Sequence, residues 1–149
     1  MPSHDWIAQD GYVRMSEPEH LFVYGTLRAD CAGGMSALLQ PGTCSRGAAR
    51  MRARLFDLGA YPGLVPTALP DRWVHGELHA LTHAAAVLQR LDRYEGCAES
   101  DPEPHEFVRV AAEVLQGDKP LPAWVYVYQG STAGCREISC GDYLRARRR

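Results

Sequence analysis

THAAAVLQRLDRYEG, Thr82 to Gly96, is the stretch that decides how this chain is organised, because it carries the chain's one sustained helical period. Ala84, Val87, Leu88, Leu91 and Glu95 recur at the i, i+3, i+4, i+7 and i+11 spacing of a single face. Gln89, Arg90 and Arg93 fall opposite. Thr82 is placed to cap the first turn, and Gly96 stands where a helix takes its left-handed C-cap. The apolar stripe ends on an acid, Glu95. In a last turn turned inward, desolvation and the negative end of the helix dipole both disfavour the charged form. A carboxyl group held that way is poised to take and give a proton near neutral pH. The competing reading is a buried acid paired with an arginine, and Glu95 alone leaves both open.

The segments around this helix read as strands. His20 to Leu27 is rich in aromatic and β-branched residues and is broken by Gly25. Arg50 to Leu58 alternates loosely, and Arg72 to Leu81 feeds directly into the helix. Glu106 to Gln116 and Ala123 to Gln129 flank Gly117-Asp-Lys-Pro120 as an antiparallel hairpin. Gly33 to Gln40 reads as a short helix ending before Pro41, and Gly59 to Gly63 as a turn. One helix among about five strands is an α+β architecture with a mixed or antiparallel sheet. The strand glycines Gly25 and Gly76 let that sheet curl into a small barrel. Residues 1–19 form an extension of uncertain order, 20–144 the domain, and 145–149 a basic tail.

Composition narrows the function. The chain has 149 residues, enough for one domain with a real core. A net charge of −2 offers no field for nucleic acid or an anionic membrane. No apolar run approaches the roughly 20 residues of a membrane span, and no signal peptide is visible at the N-terminus, so a cytoplasmic protein is expected. The five cysteines form no C-x-x-C pair and read as reduced thiols. The basic tail, without interleaved aromatics, reads as a solubilising end.

Other constellations carry less. His75, Glu77 and His79 share one strand face, but the zincin pattern requires a glutamate directly after the first histidine. They read as solvent-side polar residues, with no metal expected. Cys97 lacks a histidine partner other than His105, on an acidic loop that would raise the thiol pKa, so it reads as incidental. Asp92, at the edge of the stripe, reads as a pairing residue. Glu77 reads as one half of an ion pair.

A set of short motifs occurs in order. They are the strand end Val23-Tyr-Gly-Thr-Leu27, Tyr61-Pro-Gly-Leu64, Val74-His-Gly-Glu-Leu78, Leu91-Asp92 with Glu95-Gly96, Ala123-Trp-Val-Tyr-Val-Tyr128 and Ser139-Cys-Gly-Asp142. Together they resemble the gamma-glutamylcyclotransferase-like family, a small β-barrel fold whose members cyclise a gamma-glutamyl group to 5-oxoproline. The resemblance spans Leu21 to Tyr143. It implies that Glu95 is the catalytic acid/base, and that Tyr24, Gly25, Thr26 and Leu27 cradle the substrate, with Tyr128 beside it. Phe107 stands where relatives often carry a tyrosine. The chemistry requires no cofactor, metal or covalent nucleophile, and the partner is a small gamma-glutamyl amine or peptide. The alternatives are a non-catalytic ligand-binding module on the same fold and an amide hydrolase of another substrate. The leaving amine and the oligomeric state are not legible. Arg28 and Arg109 are candidates for a substrate carboxylate or for an ion pair.

Overall fold

A computed structural model describes residues 17–25, 39 and 41–147. Seven strands and two helices follow in the order β1 (His20–Val23), β2 (Thr43–Asp57), β3 (Pro62–Pro66), β4 (Trp73–Leu81), α1 (Ala84–Glu95), β5 (Phe107–Gln116), β6 (Lys119–Tyr128), β7 (Arg136–Glu137) and α2 (Tyr143–Arg147). The strand path runs β3-β2-β4-β1-β6-β5, and β5 returns to β2 through Arg50 and Leu115. Five strands therefore close a barrel, as the strand glycines suggested. The β1–β6 pairing is parallel, while β1–β4, β2–β4 and β5–β6 are antiparallel. The long β2 serves two roles. It pairs β4 along most of its length, and its far end holds β3 and β7 as an extension. A register shift between Ser45 and Ala48, around Gly47 at φ +92°, bends it on the way.

Period-two alternation sorts the apolar residues into two layers. Phe22, Met51, Leu55, Val74, Leu78, Val114 and Val125 fill the barrel. Leu21, Val23, Trp124 and Tyr126 point outward, and Val87, Leu88 and Leu91 of α1 cover them. The helix stripe thus meets the outer barrel wall, and its last member, Glu95, is delivered to the end of β1. Ala84, at the start of the stripe, is exposed instead.

The caps divide. Gly96 takes the left-handed conformation (φ 75°, ψ 25°), with its N–H on the Arg93 carbonyl. The Cys97 N–H reaches the Asp92 carbonyl at 2.9 Å. These two bonds make the paired C-terminal closure of a Schellman motif. Thr82 does not cap; the position belongs to His83, which makes no side-chain capping bond. The Thr82 hydroxyl meets the His83 ring at 3.2 Å, and both backbone N–H groups go to the Gly42 carbonyl. The helix is therefore anchored to the start of β2 rather than capped by a hydroxyl.

Gly59 to Gly63 is not wholly a turn, because Pro62 opens β3. A proline is tolerated as the first residue of an edge strand, where its missing N–H costs no ladder bond. The closing segment is a short helix, α2, with Tyr143 and Leu144 buried against the barrel. It takes in Arg145 to Arg147 of the segment expected as a basic tail. The short helix expected over Gly33 to Gln40 lies outside the described residues, apart from Leu39. No helix among the described residues is long and apolar enough to cross a membrane.

Gly76 is required by a close approach. A Cβ there would run into the Val23 carbonyl oxygen and stand 2.9 Å from the Phe22 ring. The bare face of Gly76 lets the end of β1 pass over β4 toward Tyr24. Gly76→Ala is expected to cost about 3 kcal/mol by overpacking, read as an earlier urea midpoint. An unchanged midpoint would show that β1 yields without strain.

Candidate functional site

A cavity of about 230 Å³ opens where β1 ends, beside the C-terminus of α1. Its walls are Phe22, Val23, Tyr24, Gly25, Tyr61, Pro62, Tyr94, Glu95, Glu106, Phe107 and Tyr126. Tyr24, Gly25 and Glu95, separated by some seventy positions in sequence, are thereby brought to one space. Gly25 is tight against β3: Pro62 Cγ would lie 2.9 Å from a Cβ placed on it. The glycine is needed because another chain segment comes close. Thr26, Leu27 and Arg28 lie outside the described residues.

Glu95 is partly buried, and its carboxyl is pushed up to about 7. Burial is the largest cause, followed by the negative charges of Glu106 and then Asp92. The two neighbouring acids are contributors that the helix pattern alone did not identify. Glu106 comes from the turn just before β5, and its Oε1 accepts the Tyr61 hydroxyl at 2.8 Å. That bond, with burial and the charges behind it, pushes the Tyr61 phenol up to about 12.

Behind Glu95 stands a second polar group, which does not line the cavity. Asp92 accepts two bonds from Arg109, Nε to Oδ1 at 2.9 Å and an η-nitrogen to Oδ2 at 3.1 Å. Its Oδ1 also accepts the Tyr126 hydroxyl at 2.6 Å. The Arg109 guanidinium lies 4.5 Å over the Trp124 ring. Asp92 is thus the pairing residue the sequence indicated, and Arg109 is its ion-pair partner. The Tyr24 hydroxyl donates to the Tyr126 carbonyl at 2.6 Å, and burial raises its pKa. Tyr24 and Tyr126 are thereby held as neutral, fixed walls.

Tyr128 is placed differently from the expectation. Its ring packs on Phe107, with centroids 5.5 Å apart, and its hydroxyl donates to the Ser131 carbonyl at 3.2 Å. It stands behind the wall rather than in it. Tyr126, two positions earlier on the same strand face, reaches the cavity instead. Sequence reading missed Tyr126 because strand alternation offers both tyrosines equally, and only tertiary partners separate them: Phe107 and Ser131 for Tyr128, Asp92 for Tyr126. Phe107 itself lines the cavity, so the side without a tyrosine hydroxyl is an apolar wall against Tyr61, 5.9 Å away.

The remaining candidates are accounted for. Cys97 is pushed up to about 12 by burial and then by Asp92 and Glu95, a poor environment for a thiolate nucleophile. His105 is occupied with the Asp101 carbonyl at 3.2 Å. Of the β4 face, His75 is exposed, but His79 is buried and not solvent-side as expected. It sits across from Leu21, beside the layer that α1 covers, and its Nε2 meets Glu77 at 3.4 Å. No cluster of three metal-ligating side chains occurs among the described residues.

Comparison with known proteins agrees with this fold. The profile of the family described as gamma-glutamyl cyclotransferase, AIG2-like, matches residues 21–145. The gamma-glutamylcyclotransferase family protein YtfP of Escherichia coli K12 is 34% identical over 92 residues, covering 61% of this chain and 67% of that protein. The family protein ytfP of Citrobacter rodentium is 32% identical over 127 residues, covering 83% and 94%. The solution structure of ytfP from Escherichia coli superposes with a TM-score of 0.58 at 25% identity, over 86% of this chain and 98% of that one. A family match over residues 21–145, with relatives above 30% identity along most of their length, shows that the chain belongs to the gamma-glutamyl cyclotransferase, AIG2-like family.

Proposed function

We propose that this protein is a gamma-glutamyl cyclotransferase, releasing 5-oxoproline and a free amine from a gamma-glutamyl amine or peptide. The observation that carries this reading is that Glu95 lines a small cavity together with the glycine-bearing end of β1, where burial pushes its carboxyl up to about 7. A gamma-glutamyl compound holds its own nucleophile. Its α-amine attacks the δ-carbonyl carbon, a five-membered ring closes, and the bond to the leaving amine breaks. Confinement in the cavity favours the folded conformer, and such positioning supplies several kcal/mol of the barrier. Glu95 takes the proton that the attacking nitrogen sheds and delivers one to the departing nitrogen, so no net proton is consumed. Backbone N–H groups of the segment starting at Gly25 hold the α-carboxylate or the developing oxyanion.

A panel of gamma-glutamyl amines and peptides, assayed for 5-oxoproline, tests the proposal. Free glutamate in its place would identify a hydrolase, and binding without turnover a ligand-binding module. The acid also sets a pH profile. Glu95 must be ionised to accept the first proton, so kcat/KM is expected to be low at acid pH and to rise to half its plateau near pH 7. A profile flat between about pH 5 and 8 would contradict the role given to Glu95.

A further inference from the structure

The cavity walls carry two acids, Glu95 and Glu106, and among the described residues no lysine or arginine. Arg109, the nearby guanidinium, is committed to Asp92 by two bonds. Glu106 is exposed, so its carboxylate meets solvent and cavity alike. The Tyr61 hydroxyl fixes one of its oxygens at 2.8 Å, leaving the other free of that bond. Tyr61 and Tyr94, both partly exposed, add aromatic surface to the same walls. A carboxylate beside aromatic faces is a combination that attracts an alkylammonium group.

We infer that Glu106, held by Tyr61, selects substrates whose leaving amine carries a second, positively charged amino group. The inference rests on the proposed cyclotransferase reading and adds the class of leaving group to it. Glu95 handles the amide being broken, while Glu106 holds a cation farther along the departing chain. A leaving group ending in a carboxylate meets repulsion at the same place. The advantage expected of an exposed ion pair, strengthened by an aromatic neighbour, is about tenfold in kcat/KM.

Three gamma-glutamyl amides with leaving groups of equal carbon count separate charge from size: those of cadaverine, pentylamine and δ-aminovalerate. Each is assayed with the full-length protein at about pH 8.5, where Glu95 is ionised with or without the Glu106 charge. The expected order is cadaverine, then pentylamine, then δ-aminovalerate, with about tenfold between the first two. Glu106→Gln is expected to reduce that ratio to less than about twofold, and Glu106→Asp, which keeps the charge, to retain most of it. No preference in the wild type, or one that survives Glu106→Gln, overturns the inference while leaving cyclisation intact. If no amide yields 5-oxoproline, the reaction itself fails. Calorimetric binding of the three amides then decides the inference. A cationic preference lost in Glu106→Gln upholds it; equal binding, or none, sinks it.

Discussion

Replacing Glu95 by glutamine is expected to lower 5-oxoproline release by at least about 10³-fold and, above neutral pH, to make the protein more stable. The first effect follows from the two proton transfers assigned to one carboxyl group. Glutamine has nearly the same shape but neither accepts nor delivers the proton. The second effect follows from where that carboxyl sits. Its pKa is 4.5 in an ordinary setting and about 7 in the folded protein. Below the lower value both folded and unfolded states hold the proton, and the fold suffers no penalty. Between the two values the unfolded chain ionises first, so the protein loses stability as pH rises. Above about 7 the folded state carries a buried charge near Glu106 and Asp92, at a cost of about 3 kcal/mol. Glutamine removes that cost. At pH 8 the variant should therefore melt roughly 6–10 °C above the wild type, and the gap should close by about pH 4.5. Thermal unfolding at the two pH values reads this directly. A gap independent of pH would place its cause elsewhere than in the ionisation of Glu95, and a fully active variant would end the catalytic assignment.

The same residue shows what the sequence can and cannot carry. A helix stripe at Val87, Leu88 and Leu91 fixes which face of α1 is buried, and periodicity then places Glu95 at its end. That inference is local and survives folding. The strand runs at β1, β4, β5 and β6 were legible for the same reason, since each alternates over its own length. The β5–β6 hairpin was legible from its turn, but the other pairings were not, because they depend on contacts such as Arg50 with Leu115, far apart in the chain. Turn chemistry misled at Tyr61-Pro-Gly63, where proline and glycine read as punctuation. There the edge position of β3 removes the penalty on proline, and Gly63 makes room for Tyr128. Glu106 shows the limit of local reading. In sequence it is one more acid before a strand, and only the fold sets it across from Glu95. Tyr126 and Tyr128 were interchangeable in sequence; in the fold Asp92 takes the first hydroxyl, while the second ring packs on Phe107.

Asp92 and Arg109 permit the second large effect, because the two halves of one ion pair should push the catalytic acid in opposite directions. Their side chains are 19% and 24% exposed, between the surface and the deep interior. Removing either is therefore expected to cost about 2 kcal/mol, less than the 3–5 of a fully buried pair. Arg109→Met leaves the Asp92 charge with the Tyr126 hydroxyl at 2.6 Å and the weakly donating Cys97 thiol at 3.9 Å. The uncompensated negative charge lies one helical turn from Glu95 and holds its proton more tightly. The midpoint of the kcat/KM profile should move above its wild-type position near pH 7. Asp92→Asn loses the same pair and a comparable amount of stability, but it removes a negative charge that already raises Glu95. Its midpoint should move below. Urea unfolding measures the shared loss, and pH–rate profiles of both variants measure the divergence. A scaffold role alone would lower stability in each case and leave both midpoints in place. Opposite displacements would mean that the Asp92–Arg109 pair sets the working pH of Glu95 from outside the cavity.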